Sequence, residues 1–177
     1  MKKIGLTGSI GAGKSTVTAW LRANGIAVHD ADLAVREIYA RAEVIAWMQE
    51  HFPAAVRGGE IDRAALAEII YADEEKRQQL EDYVHPLVAA HRAAFLAQAE
   101  GNGEKIAVCD IPLLFETRAA AEFDQTWLVT APQAMRLARV LTRAEMTEEK
   151  FTRIDLAQMP EDQKRERADV VIDNKGD

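Results

Sequence analysis

Gly8-Ser9-Ile10-Gly11-Ala12-Gly13-Lys14-Ser15 is the stretch on which the fold turns. It satisfies G-x-x-x-x-G-K-[ST] at every fixed position and stands between a strand expected at Lys3–Thr7 and a helix expected from Lys14 to Asn24. Glycines in such a loop let the backbone wrap an anion with its N–H groups inward, and the following helix offers the positive end of its dipole. Lys14 can then reach the β and γ phosphates of a nucleotide, and the Ser15 hydroxyl can sit on Mg2+. Gly11, Ala12, Gly13, Lys14, Ser15 and Thr16 are therefore candidate nucleotide-binding residues. A dinucleotide reading is disfavoured, because Gly11, Gly13 and Thr16 leave G-x-G-x-x-G incomplete.

Outward from this loop the pattern is α/β. Val17, Trp20 and Leu21 recur at helical spacing, Gly25 stops the helix, and Ile26 to Asp30 reads as a second strand. Strand, turn, helix, strand in that order argues for a parallel sheet. From Asp32 to Ala72 the pattern is mostly helical, broken at Pro53 and at Gly58-Gly59. Asp62 and Asp73 suit helix N-caps, and Pro86 suits the first turn of a helix that ends near Glu100, before Gly101-Asn102-Gly103. Lys105 to Asp110, Gln125 to Thr130 and Asp169 to Ile172 read as further strands. Two α/β segments thus flank a helical insertion of roughly 40 residues.

Composition narrows the function classes. The chain has 177 residues, of which 48% are hydrophobic, with 22 basic against 29 acidic side chains and a net charge of −7. That is ordinary globular material, and without a run of Lys or Arg it argues against a nucleic-acid partner. The longest largely apolar stretch, Ile106 to Phe115, is interrupted by Asp110 and Pro112 and is too short to span a bilayer. Glycines and hydroxyl residues follow Met1-Lys2-Lys3 where a signal peptide needs an apolar core. Cys109 is the single cysteine, so no internal disulfide forms. The expectation is a cytosolic, soluble protein, monomeric or weakly homo-oligomeric, with no membrane partner.

Further candidates lie at strand ends. Asp30-Ala31-Asp32 falls at the carboxyl end of the second strand, where open α/β sheets place their ligands. A carboxylate there can orient or deprotonate an attacking hydroxyl, although Asp32 equally suits the cap of a helix starting at Leu33. Asp110 ends another apolar strand and could hold a metal-bound water. His85 reads either as a turn residue before Pro86 or as a contact to an anionic substrate. The stretch from Arg136 to Arg167, with Arg139, Arg143, Lys150, Arg153, Lys164, Arg165 and Arg167, reads as a solvated helical face or as an arginine-bearing lid. Asn174-Lys175-Gly176-Asp177 spells the guanine-specificity pattern N-K-x-D, but no glycine from Gly25 to Gly103 has an Asp three positions earlier to supply D-x-x-G. The match is read as a coincidence.

These landmarks, taken together, resemble the dephospho-coenzyme A kinase family over nearly the whole chain. Besides the loop and Asp30-Ala31-Asp32, they include Gly59 to Leu66, which is similar to the start of that family's coenzyme A-binding helices, and Leu80 to Pro86, similar to its segment ending in His-Pro. Pro112-Leu113-Leu114-Phe115-Glu116 resembles its Pro-Leu-Leu-Phe-Glu run, and Gln133, Arg139 and Arg143 fall where its lid carries Gln and Arg. Ala157 to Pro160 and Ala168 to Gly176 resemble its closing segments. Two departures stand out: Ala144-Glu145 follows Arg143 where the family usually has Asp-Gly, and family members commonly continue past Asp177 into another helix.

The resemblance implies a P-loop kinase fold: a five-stranded parallel sheet flanked by helices, with core about 1–58, 101–135 and 161–177, a helical insertion about 59–100, and a lid about 136–160. It implies transfer of phosphate from ATP, with Mg2+, to the ribose 3′-hydroxyl of dephospho-CoA, the last step of coenzyme A synthesis. Lys14 and the loop amides would hold the ATP phosphates, Asp32 would orient or deprotonate the acceptor hydroxyl, and Arg143, with Arg139, would neutralise charge on the transferred phosphoryl group. Asn174 and Gly176 would line the adenine pocket, Arg63, His85 and Asp32 the acceptor site, and Ser15 with Asp110 the metal. Another small-metabolite or nucleotide kinase, or a regulatory P-loop NTPase, is the alternative.

Overall fold

A computed structural model of the chain describes residues 1–144 and 146–176; Glu145 and Asp177 lie outside the described residues. In chain order the α/β part opens with β1 (Lys2–Thr7), α1 (Lys14–Ala23) and β2 (Ala27–Asp30). Then come α2 (Ala31–Tyr39), α3 (Ala42–His51), β3 (Val56–Arg57), β4 (Glu60–Ile61), α4 (Arg63–Ala72) and α5 (Glu74–Gly101). The chain closes with β5 (Ile106–Asp110), β6 (Gln125–Thr130), α6 (Gln133–Leu141), α7 (Glu148–Ala157), α8 (Glu161–Arg167) and β7 (Val170–Asp173).

Two compact units result. The first joins Met1–Asp30 to Leu96–Asp177; the second is Ala31–Phe95. In the first, one sheet of order β2-β5-β1-β6-β7 is parallel throughout. β1 lies at its centre, with Ile4 opposite Val108 on one side and Gln125 on the other. Buried on both faces, the central strands carry continuous apolar runs instead of alternation. Ile4, Leu6, Val108 and Val129 join Ala12 and Leu21 in one core. Burying each of the larger side chains contributes about 1.5–3 kcal/mol relative to exposure. That core sits directly beneath the loop after β1, because Ala12 belongs to both.

The second unit has its own core of Ile38, Val44, Met48, Phe52, Ala55, Leu66, Leu80 and Val84. Asp62 caps α4 as its position suggests, accepting from the Ala64 and Ala65 amides at 3.1 and 3.0 Å. Asp73 closes α4 and caps α5, accepting from the Glu75 and Lys76 amides.

Three sequence expectations need correction. Pro86 does not begin a helix; it lies inside α5, whose 28 residues run straight through it. The buried stripe of Leu80 and Val84 continues into Leu87 and Val88, while Pro86 itself faces outward. That packing outweighs the N–H the proline lacks. His85 is accordingly an exposed helical residue and not part of a turn. The Gly58-Gly59 turn is present as expected, and it closes a small antiparallel hairpin, β3 with β4, whose strands are too short to show an alternation. Lastly, α2 begins at Ala31, immediately after β2, so Asp32 lies within its first turn and is not its cap. Strand ends otherwise agree with the sequence reading to within one residue.

Candidate active site

The loop between β1 and α1 is held from behind. Arg136 Nη1 donates to the Ile10 carbonyl at 3.3 Å. Arg139 Nη1 donates to the Gly11 and Ala12 carbonyls at 3.4 and 3.3 Å, and Asn174 Nδ2 to the Ala12 carbonyl at 3.0 Å. In a trans peptide the C=O and the next N–H point in opposite directions. Turning these carbonyls outward therefore turns the following amides inward. The Ala12 amide closes a turn onto the Ser9 carbonyl at 3.0 Å, and the Gly11, Gly13, Lys14 and Ser15 amides take no backbone acceptor among the described residues. Gly13 stands at the N-cap of α1 with no side-chain cap bond, so the first turn keeps its donors for an anion.

Two glycines are required for this shape. Gly11 and Gly13 have φ of +77° and +91°, which L side chains rarely adopt. A Cβ on Gly13 would also collide with Asn174 Nδ2, and one on Gly11 would come within 2.5 Å of the Arg136 carbonyl.

At the mouth of the loop, Lys14 Nζ lies 3.2 Å from Asp110 Oδ1 at the end of β5. Asp110 is opposite Asp30 in the β2–β5 register, and Arg22 Nη2 is 3.6 Å from Asp30 Oδ2. Two cations thus pair with two strand-end carboxylates at the carboxyl edge of the sheet. On the other side, Arg139 Nη2 donates to the Asn174 carbonyl at 2.9 Å, and a Cβ on Gly176 would come within 3.3 Å of the same nitrogen. Arg139, Asn174 and Gly176 therefore form one cluster against Gly13.

Comparison with known proteins extends over the whole chain. A family model described as dephospho-CoA kinase matches residues 2–177. The chain belongs to the dephospho-CoA kinase family. The dephospho-CoA kinase of Bartonella quintana is 42% identical over 177 residues, covering 100% of this chain and 91% of that protein. That of Cereibacter sphaeroides is 46% identical over 175 residues, covering 98% of this chain and 87% of its own. A crystal structure from Thermus thermophilus is similar at a TM-score of 0.88 and 41% identity, covering 99% of this chain and 89% of that one. The protein is a P-loop kinase of coenzyme A biosynthesis, and its loop is that of an ATP-using enzyme.

The residues expected in a dephospho-CoA kinase site divide between the two units. Lys14, Ser15, Thr16, Asp110, Arg139, Arg143, Asn174 and Gly176 belong to the first unit, whereas Asp32, Arg63 and His85 belong to the second. Arg139 grips the back of the loop and the Asn174 carbonyl. Arg143 is exposed just past the end of α6. Asp32 is exposed in the first turn of α2 and Arg63 in that of α4. Burial pushes the Tyr39 hydroxyl above its ordinary pKa, and the nearby Arg63 charge offsets part of that. Glu145, and with it the Ala144-Glu145 departure, lies outside the described residues, as does the Asp177 of N-K-x-D.

The reading of 136–167 as a solvated face is corrected at two positions. Arg136 is 5% exposed and Lys164 fully buried. Each is compensated: Arg136 pairs with Asp155 at 2.6 Å, and Lys164 with Glu116 at 3.1 Å. Glu116 also accepts from the Met159 amide at 2.8 Å, tying the Pro-Leu-Leu-Phe-Glu run to the turn before α8. Sequence reasoning missed Arg136, Asp155 and Glu161 as partners of the loop, because no local spacing joins residues so distant along the chain.

Proposed function

We propose that the enzyme transfers the γ-phosphoryl group of ATP to the ribose 3′-hydroxyl of dephospho-CoA. The acceptor oxygen bonds to phosphorus, the bond to the ADP oxygen breaks, and the hydroxyl proton passes to solvent. The observation that carries the reading is the Lys14–Asp110 pair at 3.2 Å in the mouth of an anion cradle. Lys14 and the inward amides hold the ATP phosphates, and Asn174 and Gly176 border the adenine. Arg143, with Arg139, offsets charge on the transferred group. Asp32 orients the acceptor hydroxyl, while Arg63 and His85 bind the acceptor's anionic groups.

Mg2+ favours hard oxygen donors and one or two carboxylates, with phosphates completing the shell. Ser15 and Asp110 supply donors of that kind, and among the described residues no group of three or more His, Cys, Asp or Glu forms a separate metal centre. Ser15 and Asp110 would hold the ion, which when bound neutralises phosphate charge. Among the described residues no helix is long and apolar enough to cross a membrane. This reading puts the enzyme in the cytoplasm as a monomer or weak homo-oligomer.

The test pairs an acceptor screen with one substitution. ATP turnover should require dephospho-CoA, give ADP in proportion to phosphorylated acceptor, and be absent with nucleosides or shikimate-like alcohols. Lys14→Ala should fold normally, since alanine suits a helix start, yet lose turnover by about 100-fold or more. Free phosphate released without phosphorylated acceptor would favour a regulatory NTPase instead.

A further inference from the structure

The consensus G-x-x-x-x-G-K-[ST] leaves Ser9 and Ile10 unspecified, yet in this chain both are held by side chains from the α7–α8 region or through Arg136. Ser9 is 5% exposed, and its hydroxyl donates to Glu161 Oε2 at 2.7 Å. The other Glu161 oxygen accepts from the Thr130 hydroxyl, which in turn accepts from Arg165 Nη2 at 3.2 Å. The directions are consistent: Arg165 donates to Thr130, and both hydroxyls donate to one carboxylate. The Ile10 peptide is held at both ends. Its N–H donates to Gln158 Oε1 at 3.1 Å, and its carbonyl accepts from Arg136 Nη1, itself paired with Asp155 at 2.6 Å. Asp155, Gln158 and Glu161 thus fall three residues apart across the α7–α8 junction, and each acts on the Ser9–Ile10 segment directly or through Arg136.

We infer that Glu161 is a positioning residue for ATP binding: by accepting the Ser9 and Thr130 hydroxyls together it sets the outer half of the phosphate loop. It touches no substrate. Its effect runs through the peptide planes, because a fixed Ser9–Ile10 segment fixes the outward carbonyls of residues 10–12 and hence the inward amides of Gly11 and Gly13. A loop free to relax would present those amides in several directions and bind phosphate less well. The inference rests on the phosphate-site reading of the loop given above.

The experiment measures ATP affinity by calorimetric titration of the full chain, together with KM for dephospho-CoA and the thermal midpoint. Ser9→Ala and Glu161→Ala should each weaken ATP binding about tenfold, the scale of one hydrogen bond to a charged group. The acceptor's KM should not move. Because the two residues share one interaction, the double variant should be within about twofold of Glu161→Ala alone. Glu161→Gln keeps one strong acceptor oxygen and should fall between wild type and alanine. A purely structural Glu161 would lower the thermal midpoint and leave ATP affinity unchanged. That result in folded Ser9→Ala and Glu161→Gln overturns the inference. Lys14→Ala is the control for the loop: unchanged turnover there overturns the phosphate-site reading itself.

Discussion

Asparagine at position 32 would separate the helix contribution of Asp32 from the role proposed for it on the acceptor hydroxyl. Asp32 places a carboxylate in the first turn of α2, where the helix dipole favours it, and its exposure leaves it open to an acceptor. Asp32→Asn should cost at most about 1 kcal/mol through the dipole, but turnover should fall about 100-fold. A loose phosphoryl-transfer transition state asks little of a base, so the loss should vary little with pH. Steady-state rates across pH with a parallel thermal melt make the check, and wild-type turnover would remove Asp32 from the reaction. The positions of Lys14, Ser15 and Asp110 at the loop and strand end were legible because their signals are local. Lys14 and Ser15 follow the glycines directly, and Asp110 ends an apolar run. Glu161 was not legible: its partner Ser9 is 152 positions away, and an acid after a proline announces nothing but a helix start.

The helices of the second unit show which element boundaries a sequence can declare. Asp62 marks the start of α4 plainly, since its side chain takes the amides it should. Hydrogen bonding from the Ala65 amide, then the Arg57 charge, holds its carboxyl below the ordinary aspartate pKa. The sign follows from a folded value lower than the unfolded one. This contribution to stability is fully present above the ordinary aspartate value and is lost as pH falls through the lowered one. Asp62→Ala should therefore lower the urea midpoint at pH 7, with the gap to wild type closing in strong acid. Asp62→Asn should hold most of the neutral-pH stability, because asparagine caps about as well, while losing the acid dependence. A gap that persists at low pH would assign the effect to packing. Pro86 shows the opposite case. Read locally it is a helix start, and only the stripe Leu80, Val84, Leu87, Val88 reveals that tertiary burial carries α5 past it.

For the molecule as a whole, the parallel sheet and its strand positions were legible because each buried strand is an apolar run between turn signals. The second unit's beginning at Ala31 was not, since nothing in the composition changes there. The loop, α6 and the segment after β7 meet in the first unit, so ATP should stabilise that unit most directly. At a hundred times its dissociation constant ATP should add about 2.7 kcal/mol to stability. Hydrogen exchange should show the added protection at residues 9–16, in α6 and near Asn174. Uniform protection along the chain, or none, would contradict that assignment of the site.

The sheet order has a consequence for how the polypeptide is made. Lys2 pairs with Ile106 and Ile4 with Gln125, so β1 has no neighbour of its own until about a hundred further residues have been made. The unit Ala31–Phe95, by contrast, is one continuous stretch with its own core and can collapse as it emerges. At about 5–20 residues per second, β1 and its apolar Ile4 and Leu6 wait for several seconds during synthesis. The same central position that pairs β1 along both edges once folded leaves both edges open to misassociation beforehand.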